Sequence, residues 1–170
     1  MARLATFDPT RLSVIITHTN ADGVVTTHQV SGFSEDNICT IDRQKEAFTL
    51  YTGADNTNTR IYNASTSHIV TIPLQQTSKS NDFFQAMFDY DVRTQDGLFQ
   101  IIVKDTGKDG RSSYYSDEAY IAIVPNTTYG NSMQIFEWQI HCPQMVTFIG
   151  GNTPFDDADR SALAALGVAI

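Results

Sequence analysis

Met133-Gln134-Ile135-Phe136-Glu137-Trp138-Gln139-Ile140-His141-Cys142 is the stretch whose reading decides the fold. From Phe136 to Cys142 every second side chain is apolar, and Glu137, Gln139 and His141 occupy the positions between. Side chains of a strand point alternately to its two faces, so this run has one packed face and one polar or wet face. Trp138 lies on the packed face and reads as core. The apolar run 146–149 continues the pattern beyond Pro143.

Outward from this strand, the same β signal recurs. Residues 11–19 are rich in β-branched side chains, and 24–30 follow across Asn20-Ala21-Asp22-Gly23, whose Asp-Gly is a hairpin signal. Further strands are expected at 37–42, 46–52, 60–63, 68–74, 98–104 and 113–124. Residues 81–90 break the pattern, because Phe83, Phe84, Met87 and Phe88 fall at helical spacing. Residues 77–81 offer several N-caps, and Asp82 suits the positive end of the dipole. A short second helix follows Thr153-Pro154, with acidic residues in its first turn and Gly167 to stop it. Gly150-Gly151-Asn152 reads as a hinge before a semi-detached tail. The fold class is therefore mainly β: a β-sandwich or partly open β-barrel, one flanking α-helix at about 81–90, and a short C-terminal helix. Residues 1–150 form the expected β domain and 151–170 its extension.

Bulk properties narrow the function. A chain of 170 residues suits a single core, and 41% hydrophobic against 18% charged residues argues against wholesale disorder. Nineteen acidic and eleven basic residues give a net charge of −8, which repels phosphates and excludes conventional nucleic-acid binding. Residues 1–12 lack a leader pattern, and no apolar run approaches the roughly 20 residues that span a bilayer. The chain is expected to be made in the cytosol and to have no membrane partner. Cys39 and Cys142 sit singly in β-like runs and read as small buried hydrophobes.

Sites of chemistry are sought and not found. His18, His28, His68 and His141 lack metal spacing, and the pair His18 and His28, if opposed across the first hairpin, gives too few ligands for zinc. The segment 105–110 lacks the alternating ligands of a calcium loop and reads as a turn. Asp89, Asp91 and Asp96 cluster at a helix exit as solvated carboxylates. No nucleophile elbow, phosphate loop or dinucleotide fingerprint occurs. The expectation is no catalytic residue, no metal and no cofactor. Two competitors to a structural role are a carbohydrate-binding module using Trp138 or Tyr114, Tyr115 and Tyr120, and a hydrolase with dispersed carboxylates.

The landmarks taken in order carry a resemblance. Gly32-Phe33-Ser34-Glu35-Asp36-Asn37-Ile38 leads to Asp42-Arg43-Gln44, Phe48 and Thr52-Gly53-Ala54-Asp55. Val70-Thr71-Ile72-Pro73-Leu74 follows, then Thr77-Ser78 and Asn81-Asp82 at the helix start. Residues 99–103, Asp105-Thr106-Gly107, 119–125 and Trp138 complete the series. Over about residues 30–142 this order resembles the tail-tube proteins of contractile-tailed bacteriophages. Bacterial secretion-system tubes share the architecture and stand as the alternative.

The resemblance implies a virion protein assembled in the host cytoplasm, whose homo-hexameric rings stack into a tube that conducts DNA without specific binding. It also implies tail sheath, tape-measure, baseplate and tail-terminator proteins as partners. In such a tube, the polar segment Thr52, Gly53, Ala54, Asp55, Asn56, Thr57, Asn58 and Thr59 is the expected ring-to-ring stacking loop. Arg43, Lys45 and Arg60 are the expected subunit-boundary charges. Glu137 and Gln139 are the expected lumen residues.

Overall fold

The computed structural model describes residues 4–169; residues 1–3 and 170, which belong to the expected domain and its extension, lie outside the described residues. The strands are β1 (Leu12–Thr19), β2 (Val25–Gln29), β3 (Thr40–Arg43), β4 (Phe48–Thr52), β5 (Asn58–Tyr62), β6 (His68–Gln75), β7 (Phe99–Asp105), β8 (Ser113–Ile121), β9 (Ile135–Cys142) and β10 (Val146–Phe148). The helices are α1 (Ser80–Thr94) and α2 (Asp157–Ala165).

One antiparallel sheet runs in the order β2-β1-β7-β8-β9-β6-β3, and β4 and β5 form a separate two-stranded ribbon. β8 is the pivot. It pairs with β7 from Ser113 to Ala119 and with β10 at residues 113–115, and its end, Tyr120 and Ile121, pairs with His141 and Ile140 of β9. A register shift between Phe99 and Ile101 loosens the β7–β8 ladder where the strand changes neighbours.

Buried side chains from distant parts of this path meet in one cluster. Val14 and Ile16 of β1 and Ile101 and Val103 of β7 join Val70 and Ile72 of β6 and Trp138 and Ile140 of β9. The sheet therefore curls around a common core, but it does not close into a barrel, and β2 and β3 remain as edges. The alternation read from residues 136–142 is the observed one, with Phe136, Trp138, Ile140 and Cys142 buried.

α1 lies against this core through Phe84 and Met87, with Phe83 and Phe88 half-buried beside them. Trp138 fixes its position: Nε1–H donates to Asn81 Oδ1 (2.9 Å), and the indole packs on the Phe84 ring at 5.4 Å. The Asn81 amide in turn donates to the Gln75 carbonyl at the end of β6 (2.9 Å).

Several boundaries differ from the sequence expectation for local reasons. α1 has Lys79 at its N-cap and no side-chain cap, because Ser78 accepts from Ser80 N–H (3.2 Å) while its own hydroxyl donates to the Ser31 carbonyl. At its other end α1 runs one turn past residue 90, to Gln95 in the left-handed region (φ 54°). Asp91 Oδ1 then accepts from Gly97 N–H (3.0 Å), so close that a Cβ on Gly97 would sit 2.2 Å from the Asp91 Cβ. β3 starts later than residue 37 because Ser34 Oγ donates to the Asn37 carbonyl (2.8 Å) and turns the chain there. β8 ends at Ile121 rather than 124, before an irregular segment that contains Pro125.

The first hairpin also corrects the sequence reading. His28 pairs with Ile16 and His18 with Thr26, so the two histidines are diagonal and not opposed. Both project toward α1. His18 Nδ1–H donates to the Leu98 carbonyl (2.9 Å) with the ring edge-on to Tyr90. His28 Nε2 bonds Ser80 Oγ (2.8 Å) and its ring stacks on Phe83 at 4.3 Å.

Two outcomes follow. Phe84→Ala should lower unfolding stability by about 3–5 kcal/mol, the range for emptying a buried aromatic site, read by denaturant titration. Burial first, and then the Lys79 charge, hold the His28 imidazole below its ordinary value of 6.5. The unfolded chain therefore takes up its proton first, and the His28 contribution, complete above pH 6.5, is lost as pH falls through the lowered value. Denaturant midpoints from pH 7 to 5 should drop less for His28→Gln than for the unaltered protein.

Candidate assembly surfaces

The β4–β5 ribbon leaves the sheet after Arg43 and returns at His68, two residues that face each other across β3 and β6. Among the described residues its strands pair only with each other, and all ten of their residues are exposed. Their side chains are nonetheless rich in apolar groups. Phe48, Leu50, Arg60 and Tyr62 share one face, and Thr49, Tyr51, Thr59 and Ile61 the other. Leu50 is 72% exposed and Tyr62 67%, values that a finished fold rarely leaves on neighbouring large side chains. A lone two-stranded ribbon is marginal in water, so these faces lack their packing partner.

The expected stacking loop is the tip of this ribbon. Thr52 and Asn58 form its last pair, and Thr52 Oγ1 donates to Asn58 Oδ1 (2.7 Å). Gly53 N–H donates to the Thr57 carbonyl (2.8 Å), with Asn56 at φ 64°. Hydrogen bonds from Thr57 hold the Asp55 carboxyl below the usual range and tie the turn. What appears in sequence as a long polar loop is thus a tight reversal of five residues, Gly53–Thr57, between paired strands. The sequence reading placed strands on either side of this tip; what it missed is the exposure of their apolar side chains. Its signal was apolar residues on both alternating faces, which sequence cannot distinguish from a buried strand.

Arg43 and Lys45 meet at the base of the ribbon, and Arg60 lies on the ribbon itself opposite Leu50. Arg43 Nε donates to the Lys45 carbonyl (2.8 Å) and its terminal nitrogen to the Ser65 carbonyl (3.0 Å), pinning the base. Arg60 lies over the Phe48 ring, 4.3 Å from its centre.

Glu137 and Gln139 lie on the outer, exposed face of β9. Register places Gln139 beside Thr71 and Thr40, and His141 beside Ile69 and Asp42. Asp42 and Glu137 are the charged residues of this face, both acidic, and His141 stacks on Tyr120 at 5.5 Å. At the far end of β6 and β9 a groove of about 620 Å³ is lined by Glu35, Asp36, Pro73, Met133, Ile135 and Glu137, among others. Ile135 closes the register there against Gln75.

The C-terminal segment is tied down and is not a free hinge. Asp105, buried, accepts from Gly107 N–H (2.8 Å) and from Asn152 Nδ2 (2.8 Å). Ser112 Oγ donates to the Gly150 carbonyl (2.9 Å), and Arg111 lies over Phe155 at 3.8 Å while donating to the Thr153 carbonyl (2.9 Å). The segment 105–110 spends its carboxylate on this latch. α2 carries an Asp156–Asp159 capping box and buries none of its residues. Cys39 and Cys142 are free thiols that burial pushes up to about 11, far from nucleophilic.

The described surface thus combines an open curled sheet, an exposed apolar ribbon and an acidic outer face. The model of the bacteriophage PhiTE tail tube protein family matches residues 5–150, and the chain belongs to that family, a structural component of phage tails. It is 40% identical over 168 residues to structural protein ORF10 of Pseudomonas phage KPP10, covering 98% of this chain and 94% of that one. Among solved structures, the sheath/tube terminator of the extracellular contractile injection system PVC has a TM-score of 0.51 at 13% identity, over 87% of this chain and 100% of that chain. The tube-terminating cap of the anti-feeding prophage has a TM-score of 0.47 at 12% identity, over 88% and 95%.

Because Leu50 is exposed on the ribbon, Leu50→Asp should change the unfolding free energy of the monomer by no more than about 0.5 kcal/mol. Chemical denaturation of the dilute protein measures this.

Proposed function

We propose that this chain is the subunit of the inner tube of a contractile phage tail, forming hexameric rings that stack and let DNA and a tape-measure protein pass. The observation that carries the reading is the ribbon: a family member with large apolar side chains exposed on both ribbon faces needs neighbours to cover them. Open sheet edges point the same way, since pairing β2 or β3 with an adjoining copy removes an aggregation hazard. The fold it shares with a sheath/tube terminator of a contractile injection system suits a contractile setting with a sheath and a terminator as neighbours; baseplate proteins complete the partners of this reading.

The outer β3–β6–β9 face is the lumen in this reading. Its charged residues, Asp42 and Glu137, repel phosphates, and Gln139, Thr40 and Thr71 keep it wet. Cationic side chains there would retain DNA through counterion release. Arg43, Lys45 and Arg60 sit at subunit boundaries, where they set register more than affinity. Residues up to 150 act as one tube unit, and the 151–169 segment, latched by Arg111 and Asp105, is its extension.

Electron microscopy and sedimentation of the purified protein test this. Rings at moderate concentration and tubes at high concentration are the expected result; a monomer at every concentration contradicts it. Deleting residues 55–58 should leave the monomer folded and shorten or abolish tubes, and tubes of normal length would reduce the tip to a solvated turn.

A further inference from the structure

The ribbon and the large groove are matched in chemistry and lie at opposite ends of the same strand pair. The ribbon is rooted where Arg43 and Cys142 flank His68, while the groove opens where Ile135 meets Gln75. β6 spans eight residues between these ends, about 25 Å at ~3.3 Å per residue. The ribbon's strands pair only with each other and reach no part of the groove in their own chain.

We infer that the groove of one copy is the receptor for the β4–β5 ribbon of a second copy, a proposal that rests on the tube reading above. The ribbon face bearing Leu50 and Arg60 carries apolar bulk with a cation at its centre, and Phe48 and Tyr62 complete it. The groove offers the complement, with Pro73, Met133 and Ile135 as its apolar part and Glu35 and Asp36 as the charges that meet Arg60. None of its lining residues is basic. Met133 is 55% exposed, so its side chain is available to a partner.

A ribbon at one end and its receptor at the other make a head-to-tail contact. Such a contact uses different patches on the two partners and therefore propagates instead of closing a pair. That is the geometry which stacking of one ring on the next requires. Charge complementarity also sets polarity, because ribbon against ribbon brings cations together and groove against groove brings carboxylates together.

Thiol pairing tests the contact in the full chain. Leu50→Cys and Met133→Cys are made separately, mixed under assembly conditions and treated with a short bis-maleimide, with Leu50→Cys plus Leu166→Cys as the control mixture. The native thiols, Cys142 buried and Cys39 part-buried, are held at about 11 and react slowly. A cross-linked dimer from the first mixture alone is the expected result. Tubes that form without that product, or a product from the Leu166 mixture instead, would overturn the inference and leave the tube reading standing. An unaltered protein that never forms rings or tubes defeats both. Charge exchange gives the second readout: Arg60→Glu should raise the concentration needed for tubes about tenfold, the low end for close interfacial charges. Adding Glu35→Lys and Asp36→Lys should recover most of that rise. No recovery, with each chain still folded by circular dichroism, counts against the pairing.

Discussion

The hydrogen bond from Trp138 to Asn81, with the indole lying on Phe84, holds the architecture together. A curled sheet that does not close has two layers of strands with nothing across one side. α1 supplies that cover, and only if its start is fixed relative to β6 and β9. Asn81 does this by serving both strands, accepting from Trp138 and donating to Gln75. The indole N–H would otherwise be buried without a partner, which is costly in an apolar core. Once α1 is anchored, His28 and His18 of the first hairpin find Ser80, Phe83 and Tyr90 on its near side, and the far edge of the sheet is tied to the same core.

Against that packed interior, the exterior of the chain is unfinished in specific places. The ribbon exposes on both faces what a monomer would bury, the end groove gathers carboxylates around apolar walls, and the β3–β6–β9 face presents acidic charge without basic. In the proposed tube these features share one explanation, a neighbouring copy that covers them. Family membership supplies the setting, a phage tail, and the surfaces supply the reasons for assembly there.

Much of the interior was legible in the sequence. The alternation over 136–142 gave the core face of β9, and Phe83, Phe84, Met87 and Phe88 gave α1, because burial periodicity is a local property. The start of α1 was legible to within one residue, but its far end was not, since that depends on Asp91 meeting Gly97. The assembly surfaces were half legible. Sequence pointed to the polar tip at 52–59 and to strands on either side of it, but not to the exposure of their apolar side chains, Phe48, Leu50, Tyr51, Ile61 and Tyr62. An apolar strand looks the same in sequence whether its partner is its own core or another molecule. The groove was invisible for a different reason: Glu35, Asp36 and Met133 lie about a hundred residues apart and meet only through the β6–β9 register.

Hydrogen exchange, compared between dilute monomer and assembled tube, bears most directly on the claim that the ribbon is completed by a neighbour. The account predicts fast exchange for amides of Phe48–Thr52 and Asn58–Tyr62 in the monomer and strong protection in the tube, with Val70, Ile72 and Ile140 protected in both. Equal exchange of the ribbon in the two states, whether slow or fast, would contradict it.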